Sequence, residues 1–501
     1  MGGNRWLRIL TAEDGSGFTP RGLYSGATTY EFLDLVVNQS SSWVYTSVTP
    51  GSGVAPPTLP TETNSRWQLV AKVGPQDTTP PTHLQANSDP FPPVPFKPTI
   101  YAKWVTMPWL DSGSSFASAS GNRAYLDKKG ILQYAAASVP RFHTYYPSGE
   151  GGLLLEPGRT NLQVRSQEFD NGNWTKDGTT VTADAIAAPD GMVTADKIVE
   201  TAAAGGHRIY PTSSIVKAAS ALPYSYSVYI KAAERSRGQI LFYDGSSSTS
   251  WAFDLGAGTI NAPSGSAFTT PSQFLDTLPN GWFRIRITAT TPATTSMNAL
   301  VYLQDNTGSN SYTGDGVSGF YLWGSQLEQA VFPSSYIATT TAQVSRSGES
   351  LTISISDPNP LEGTFYARTA EQDAAPPAGQ TNINVALGNS AATFGQDCYV
   401  SRNASSSSLS PAAAPVFMSS AVAGTPQLSK YAARVQGNDS VLCVNGTLGP
   451  VDNSCAMPAN INRLSIGGAP WASSNQPLAV IQEIAYIPRA LSNAQLQAIT
   501  S

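Results

Sequence analysis

The chain has 501 residues, of which 13% are charged, against about 25% in typical soluble domains. Its formal net charge is −5 at pH 7, and the absence of a basic surplus argues against a nucleic-acid partner. Ten tryptophans, 21 tyrosines and 17 phenylalanines exclude a disordered chain, and at about 150 residues per domain the length predicts about three domains.

Residues 1–74 alternate short apolar runs with Gly, Ser and Pro, which predicts a small β-module with strands at 32–37, 42–46 and 66–70. The N-terminus lacks the apolar segment of a secretory signal. No run of about 18 apolar residues follows, so we expect no membrane insertion and synthesis in a cytoplasm.

Residues 75–98 contain eight prolines in 24 positions, which excludes a helix or a central strand. This segment is expected to be an extended linker, or a strap ordered in the assembled protein through Phe91 and Phe96. Residues 99–165 are expected to form an irregular, aromatic-rich connector that ends in a short apolar strand at 151–155.

Residues 166–345 show strand patterns with a period of two, so one face of each strand is expected on a core and the other on solvent or a partner. Their spacing predicts an antiparallel sandwich or jelly roll. The clearest strands are expected at 224–230, 238–243, 282–288, 299–303 and 319–324.

Residues 350–501 predict a second antiparallel sandwich that ends in one short helix at 491–499, capped by Ser492 with Gln495 at the reciprocal position. Its strands are expected at 351–355, 363–368, 430–435, 440–444 and 479–486. The predicted fold class is therefore all-β: a small N-terminal β-module, a Pro-rich linker, a jelly roll and a second sandwich.

Catalytic and metal-binding motifs do not stand out in this sequence. It has no Gly-x-Ser-x-Gly elbow, phosphate-binding loop, His-Glu-x-x-His or EF-hand pattern. We therefore predict no catalytic residue, no metal site and no cofactor. Glu168 and Asp170 are expected to be turn or cap residues rather than a glycosidase pair, and the glycine-rich segment 314–319 is expected to be a turn.

Histidines and cysteines are few, with three of each. His207 and Arg208 lie among small residues and are expected to be solvated. Cys398, Cys443 and Cys455 match no zinc spacing, and we expect buried free thiols, with one disulfide as the alternative if the mature protein is extracellular.

Four tryptophans divide into two kinds by their surroundings. Trp282 and Trp323 lie within regular strand patterns and are expected in the core. Trp251 follows a Gly/Ser-rich segment, and Trp471 lies in a loop of small residues. These two are candidates for stacking on a sugar ring while Ser, Asn and Asp bind its hydroxyls. The alternative is that they cover the rim of a sandwich.

A series of ordered motifs supports a family resemblance. The series is GLLLEPGRTNL at 152–162, SQEFD at 166–170, WTK at 174–176, APDG at 188–191, ADKIVE at 195–200, YTGDG at 312–316, LWGSQLE at 322–328 and FPSSYI at 332–337. It resembles the carbohydrate-binding-module-like jelly roll of fibre and head-fibre proteins of tailed bacteriophages.

Two shorter resemblances flank it. Residues 26–71 are similar to a small chitin-binding-type module common in phage fibres, and residues 484–492 are similar to the closing segment of concanavalin A-like, laminin-G-like sandwiches. The resemblances imply no catalytic residue, and they transfer no sugar-binding residue to this chain.

Together these features favour a phage virion fibre that attaches to host surface glycans. We expect a homotrimer, joined to other virion proteins through its N-terminal region and located in the virion after synthesis in the host cytoplasm. Each site is expected to bind with about millimolar affinity, strengthened by multivalency. The alternative is a structural head or collar fibre without a receptor role. A polysaccharide depolymerase is the third hypothesis, disfavoured by the absence of short regular repeats.

Overall fold

A computed structural model gives the structure of the chain, which divides into two compact units, Met1–Asp89 and Pro90–Ser501. The longer described stretches are residues 114–144, 151–355, 358–371, 427–453 and 479–501. The shorter ones are 19–23, 34–38, 41–45, 67–71, 100–103, 382–389, 398–402, 407–410, 416–418 and 460–467, with a few residues between 25 and 56.

The first unit contains one four-stranded sheet in the order β1-β2-β3-β4. Its strands are β1 (Thr19–Leu23), β2 (Asp34–Asn38), β3 (Ser41–Tyr45) and β4 (Trp67–Ala71). The β1–β2 pair is parallel and the other two pairs are antiparallel. The three predicted strands of this region are confirmed as β2, β3 and β4. The expectations for residues 75–98, with Phe91 and Phe96, lie outside the described residues.

In the second unit, the described residues before the jelly roll form seven strands. They are β5 (Ile100–Lys103), β6 (Ser114–Ala117), β7 (Arg123–Leu126), β8 (Leu132–Ala135), β9 (Arg141–Thr144), β10 (Gly151–Leu155) and β11 (Arg159–Asn161).

The jelly-roll region contains 16 strands. They are β12 (Trp174–Asp177), β13 (Thr179–Ala187), β14 (Val193–Glu200), β15 (Ala204–Gly206), β16 (Arg208–Pro211), β17 (Ile215–Val216), β18 (Pro223–Ala232), β19 (Arg237–Tyr243), β20 (Ser248–Asp254), β21 (Thr259–Ile260), β22 (Thr269–Thr277), β23 (Trp282–Thr290), β24 (Ser296–Leu303), β25 (Ser311–Thr313), β26 (Gly319–Glu328) and β27 (Val344–Arg346). A short 3₁₀ turn, Pro279–Gly281, precedes β23.

The remaining elements belong to the C-terminal sandwich. They are β28 (Ser350–Ser354), β29 (Glu362–Glu371), β30 (Asn382–Gly388), β31 (Cys398–Arg402), β32 (Ser407–Ser410), β33 (Val416–Met418), β34 (Gln427–Gln436), β35 (Val441–Val444), β36 (Thr447–Leu448), β37 (Arg463–Ile466), β38 (Ala479–Ile487) and the helix α1 (Asn493–Thr500). The predicted strands of both sandwiches are confirmed.

Two sheets form the jelly roll. One has the order β12-β16-β24-β19-β20-β21, with β17 paired to β24; we call it the open sheet. The other has the order β13-β14-β26-β18-β23-β22, and we call it the covered sheet. Alternate side chains of both sheets, such as Val228 and Ile240, meet in one apolar core between them.

The covered sheet is buried on its second face as well. Tyr229, Trp282 and Trp323 pack there against Ala124 and Leu132 of the β7–β8 hairpin. The residues of β18 and β26 therefore are almost all buried, whereas β19 of the open sheet alternates between buried and more exposed positions. Of the two jelly-roll sheets, the open sheet is the one whose outer face is left for other contacts.

The C-terminal sandwich also has two sheets, and it borrows strands from the segment before the jelly roll. Its eight-stranded sheet includes β5, β9 and β10, and the opposite sheet ends at β6. The expectation that residues 99–165 form an irregular connector is therefore wrong. Leu153 of β10, for example, pairs with Ile481, nearly 330 residues further along the chain. No local pattern reveals such a pair.

The jelly roll is thus inserted between strands of the C-terminal sandwich. The chain leaves after β10 and returns at β28, and the two crossings run side by side because β11 pairs antiparallel with β27. Adjacent entry and exit points are the geometry that permits domain insertion.

Helix α1 closes the C-terminal sandwich as predicted. The Ser492 side chain accepts from the Gln495 backbone, and the Gln495 side chain accepts from the Ser492 backbone. Leu496 and Ile499 then pack on the outer face of the eight-stranded sheet. Within the part of the chain that the structure describes, no helix has the length and apolar character needed to cross a membrane.

Candidate functional site

The largest group of buried charges lies where the β7–β8 hairpin, the jelly roll and the C-terminal sandwich meet. We call it the seam and define it as Arg123, Arg141, Glu156, Ser335, Arg346 and Glu349. Glu156 lies 2.7 Å from the guanidinium groups of both Arg141 and Arg346, while Glu349 pairs with Arg123 and Arg141. The charged side chains of the seam are at most 2% exposed.

Ionised groups are stable in the seam because each one has partners. Burial by itself raises the pKa of Glu156, but the guanidinium groups of Arg346 and Arg141 outweigh it and hold that pKa well below its usual range. The Ser335 backbone and hydroxyl also donate to Glu156, at 2.7 and 2.6 Å. Because its charged side chains are buried and paired with one another, the seam joins the three parts of the second unit rather than binding a ligand.

The other motifs behind the phage resemblance have similar internal roles. Glu200 accepts two hydrogen bonds from Arg235, at 2.8 and 2.6 Å, and one from the Tyr312 hydroxyl at 2.7 Å. Asp315 accepts from the backbone of residues 317 and 318, so the predicted turn at 314–319 is confirmed. Asp196 accepts from two backbone N–H groups, at 2.7 and 2.9 Å. These motifs build the fold.

The tryptophan predictions have mixed outcomes. Trp282 and Trp323 are core residues, 2% and 0% exposed, as predicted. Trp251 is not on an exposed loop, and that expectation is wrong: it lies within β20, fully buried, edge-on to Phe242 at 5.3 Å. The strand begins at Ser248, inside the Gly/Ser-rich segment, and its alternation turns residue 251 into the core. Trp471 lies outside the described residues.

His207 and Arg208, both expected to be solvated, lie in different environments. His207 is buried, with its ring nitrogens 2.6 Å from the Gly178 carbonyl oxygen and 3.2 Å from that of Tyr312. The expectation for His207 is wrong because the β15–β25 pair and the loop after β25 cover it. Arg208, one residue on, points to the other side of the strand and is 37% exposed.

Arg208 lies on β16, second in the strand order of the open sheet, and belongs to the outer face of that sheet. The side chains that alternate with the core residues of β12, β16, β24, β19 and β20 are presented on this face. We call it the open face and define it as Thr175, Asp177, Arg208, Tyr210, Arg237, Gln239, Leu241, Tyr243, Ser250, Ala252, Asp254, Asn298, Leu300 and Tyr302. At about 4.8 Å between strands, five strands span about 19 Å, enough for a short extended ligand.

One row of side chains crosses the open face from strand to strand. The register places Asp177 opposite Arg208, Arg208 opposite Tyr302, and Tyr302 opposite Gln239. Arg208 donates through Nε to Asp177 at 2.7 Å and through NH1 to the Tyr302 hydroxyl at 2.6 Å. Its guanidinium carbon lies 5.4 Å from the ring centroid of Tyr302 and 5.7 Å from that of Tyr210. Arg208 therefore fixes the position of both aromatic rings.

A chain of amides continues this row towards the far edge of the sheet. The Gln304 side chain donates to Asn310 at 2.8 Å, Asn310 donates to Gln239 at 2.6 Å, and Gln239 donates to the Ser250 hydroxyl at 2.8 Å. Because each group is held by its neighbour, these polar side chains are pre-oriented before any ligand arrives. The hydroxyl of Ser250, which is buried, accepts at the end of this chain.

The charges of the open face come as pairs. Burial opposes the charge of Arg208, but its hydrogen bonds to Tyr302 and Asp177 outweigh that effect and raise its pKa. Arg237 lies 2.7 Å from Asp254 on the neighbouring strand. Both arginines thus face a carboxylate.

This arrangement has the chemistry that a sugar needs. Tyrosine rings provide flat apolar surfaces for the C–H face of a pyranose. Leu241 on β19 adds a half-buried apolar side chain, whereas its partner Leu300 is buried. Amides, hydroxyls and a carboxylate provide both donors and acceptors for sugar hydroxyls. A face of this kind suits a shallow, reversible contact rather than a bond-breaking reaction.

A cleft of about 510 Å³ lies beside one edge of the open sheet. Gln163, Asn173, Lys217, Tyr224 and Gln343 are among its lining residues. The Lys217 ammonium donates to three backbone carbonyl oxygens at 2.9 to 3.2 Å, and burial lowers its pKa. Lys217 is thus committed to holding its own loop, and the cleft presents less organised binding chemistry than the open face.

Sequence reasoning missed the residues of the open face. The predicted strands 238–243 and 299–303 correctly imply an outward-facing set of side chains. However, Tyr210 and Tyr302 lie more than 90 positions apart, and only the β16–β24 pairing brings their strands together. The sequence offered one indication of this site: Tyr210 and Tyr302 each occupy an outward position of a strand.

Cys398 and Cys443 are buried, Cys443 is a free thiol, and Cys455 lies outside the described residues. The Cys443 sulfur lies 3.2 Å from the Thr500 hydroxyl, and burial raises the pKa of its thiol. Over the described ranges of the chain, no group of three or more His, Cys, Asp or Glu side chains is arranged to hold a metal ion.

Comparisons with known proteins give no family. No family model matches the chain, and no curated protein matches it. Among solved structures, the carbohydrate-binding module of a Ruminococcus gnavus sialidase bound to α2,3-sialyllactose is 14% identical, with a TM-score of 0.24 over 28% of this chain and 83% of that one.

Two larger structures match more of the chain at similar scores. The LG4-5 domains of the mouse laminin α1 chain are 10% identical, with a TM-score of 0.20 over 59% of this chain and 88% of that one. Trypanosoma rangeli sialidase in complex with sialic acid is 10% identical, with a TM-score of 0.23 over 93% of this chain and 82% of that one.

Proposed function

We propose that the chain binds carbohydrate through the open face of its jelly roll. The observation that carries this proposal is the pair of tyrosines Tyr210 and Tyr302, both in contact with Arg208 and beside an ordered amide chain. Rigid aromatic surface and pre-oriented polar groups together lower the entropy cost of binding a flexible sugar.

The test is glycan binding by the full chain and by single variants. Tyr210→Ala and Tyr302→Ala should each weaken binding about tenfold, which corresponds to about 1.4 kcal/mol. Tyr134→Ala is the matched control, because Tyr134 is 37% exposed on β8, outside the open face. Equal binding by all three variants, with their folds intact, contradicts the proposal.

The biological setting we propose is the virion of a tailed phage, where the chain serves as a fibre that attaches to host surface glycans. Support comes from the ordered motifs between residues 152 and 337, which resemble phage fibre jelly rolls. In this setting the protein is a homotrimer that contacts other virion proteins through its N-terminal region. It has no catalytic role, and Trp471 remains a candidate for a second sugar contact.

Two measurements address the setting. Light scattering should give three times the chain mass of 52.8 kDa, and a monomer at micromolar concentration contradicts the trimer. Labelling the protein on intact particles distinguishes a tail fibre from the alternative of a structural head or collar fibre. Release of reducing ends from host polysaccharide would favour the third hypothesis, a depolymerase.

A further inference from the structure

The charges of the open face decide what kind of sugar it accepts. Within the defined face, two arginines oppose two aspartates: Arg208 with Asp177 and Arg237 with Asp254. The pairs lie towards opposite ends of the row of strands, Asp177 on β12 and Asp254 on β20. Over its whole width the face therefore presents no net positive charge to a ligand.

The Arg208 guanidinium is already occupied on three of its nitrogen atoms. Nε and NH2 lie 2.7 and 2.6 Å from Asp177 Oδ2, and NH1 donates to the Tyr302 hydroxyl. A sugar carboxylate that displaced Asp177 would leave two carboxylates side by side, an arrangement that Coulomb repulsion disfavours.

The second pair is constrained in a different way. One carboxylate oxygen of Asp254 holds Arg237 at 2.7 Å, while the other accepts from the backbone of Gly256 and Ala257 at 2.9 and 3.2 Å. Asp254 is thus fixed by its own turn and cannot swing away to release Arg237. An anionic ligand approaching Arg237 meets this fixed negative charge.

We infer that the ligand is a neutral glycan, built of hexose or N-acetylhexosamine units without carboxylate or sulfate. This inference rests on the proposed function of the same face. The amide chain through Gln304, Asn310 and Gln239 supports this, because amides pair with hydroxyl and acetamido groups, each of which both donates and accepts. The Arg208–Asp177 pair is then a specificity element, which excludes acidic sugars while positioning the tyrosines.

The test is an array that carries matched neutral and acidic sugars: glucose with glucuronate oligomers, and galactose with galacturonate oligomers. The full chain should bind the better neutral member at least tenfold more strongly than its acidic counterpart. Asp177→Asn should release Arg208 and shift the acidic-to-neutral ratio at least tenfold towards the acidic sugar. Asp254→Asn should shift it in the same direction through Arg237.

Asp276→Asn is the matched control. It breaks a pair of the same type, in which Asp276 lies 2.6 Å from Arg286 on the covered sheet, and it should leave the ratio unchanged. A wild-type preference for acidic sugars that Tyr302→Ala abolishes overturns the inference but leaves the proposed function standing. Aspartate variants that stay folded and gain no acidic binding overturn it as well. Binding that is absent, or insensitive to Tyr302→Ala, removes the proposed function and this inference with it.

Discussion

The seam and the open face both join arginine to carboxylates, yet they lie at opposite extremes of exposure. Arg141 and its two glutamates in the seam are at most 2% exposed, whereas Arg208 and Asp177 on the open face are 37% and 45% exposed. The same chemical pair is therefore a structural joint in one place and an adjustable recognition element in the other.

This difference in exposure explains where the sequence motifs lie. The motif that contains Glu156 and the motif that contains Ser335 meet in the seam, where a change of one group leaves another buried without its partner. Of the open-face residues, only Thr175 lies in one of the motifs, because water can replace any partner that is lost on this face. The motifs in this chain hold the fold together, whereas the open-face residues Tyr210 and Tyr302 lie outside the motifs.

Breaking the seam should give the largest effect. Glu349→Ala leaves Arg123 and Arg141 without their shared carboxylate in a buried site, and we expect the free energy of unfolding to fall by about 3–5 kcal/mol in urea denaturation. Glu168→Ala is the control, because its pair with Arg165 is partly exposed and should cost about 1 kcal/mol or less. A loss below about 1 kcal/mol for Glu349→Ala would mean that the seam does not hold the parts together.

Trp251→Ala should be similarly costly, since it empties a large volume in the jelly-roll core. Truncating a buried aromatic side chain costs about 3–5 kcal/mol, and Trp323→Ala should fall in the same range. Thermal or urea unfolding of the two variants checks this. If Trp251→Ala instead unfolds like the wild type but binds glycan poorly, its side chain belongs to a binding site and not to the core.

Acid should weaken the region beside the seam through His143. Burial lowers the pKa of His143 to about 4, and its Nδ1 accepts from the Leu126 backbone at 3.2 Å, as a neutral ring does. The unfolded chain therefore takes up this proton first, so the contribution to stability is present above about pH 6.5 and is lost as the pH falls towards 4.

Asp196 acts in the opposite sense over part of the same range. Burial raises its pKa to about 6, so its contribution to stability is present at low pH and is lost as the pH rises through 6.

Comparing unfolding of wild type and His143→Gln between pH 7 and 4.5 isolates the histidine, and the variant should lose less stability on acidification. Parallel curves for the two proteins would contradict this role of His143.

The smallest effect on stability is expected on the open face. Asp177→Asn removes an exposed ion pair and should change the free energy of unfolding by about 1 kcal/mol or less, even though it alters sugar preference. Urea denaturation beside the array measurement checks both properties of one variant. A loss comparable to that of Glu349→Ala would erase the distinction between the two regions.

Much of the fold could be predicted from local patterns. Period-two alternation found most of the long strands, and the Ser492–Gln495 pattern found the helix, because these depend on neighbours within a few residues. Local patterns could not predict that β5, β6, β9 and β10 belong to the sheets of the C-terminal sandwich. β5, β6 and β10 pair with C-terminal strands from which the whole jelly roll separates them in sequence, and β9 pairs with β10.

The candidate site was harder to predict for the same reason. Trp251 has a flexible-looking segment before it, but its outcome depends on the register of β20 against β19, which places it opposite Ile240. A one-residue shift of that register would have turned it outward. Tyr302 and Arg208 have no unusual neighbours in sequence, and only the sheet places them together.

Hydroxyl-radical footprinting of the intact chain, with and without a neutral oligosaccharide selected on the array, tests the central claim most directly. Modification of Tyr210 and Tyr302 should fall severalfold when the sugar is present, while Tyr134 on β8 should be modified equally in both states. Protection of Trp471 alone, with Tyr210 and Tyr302 modified as before, would show that the sugar binds elsewhere and that the open face is not the site.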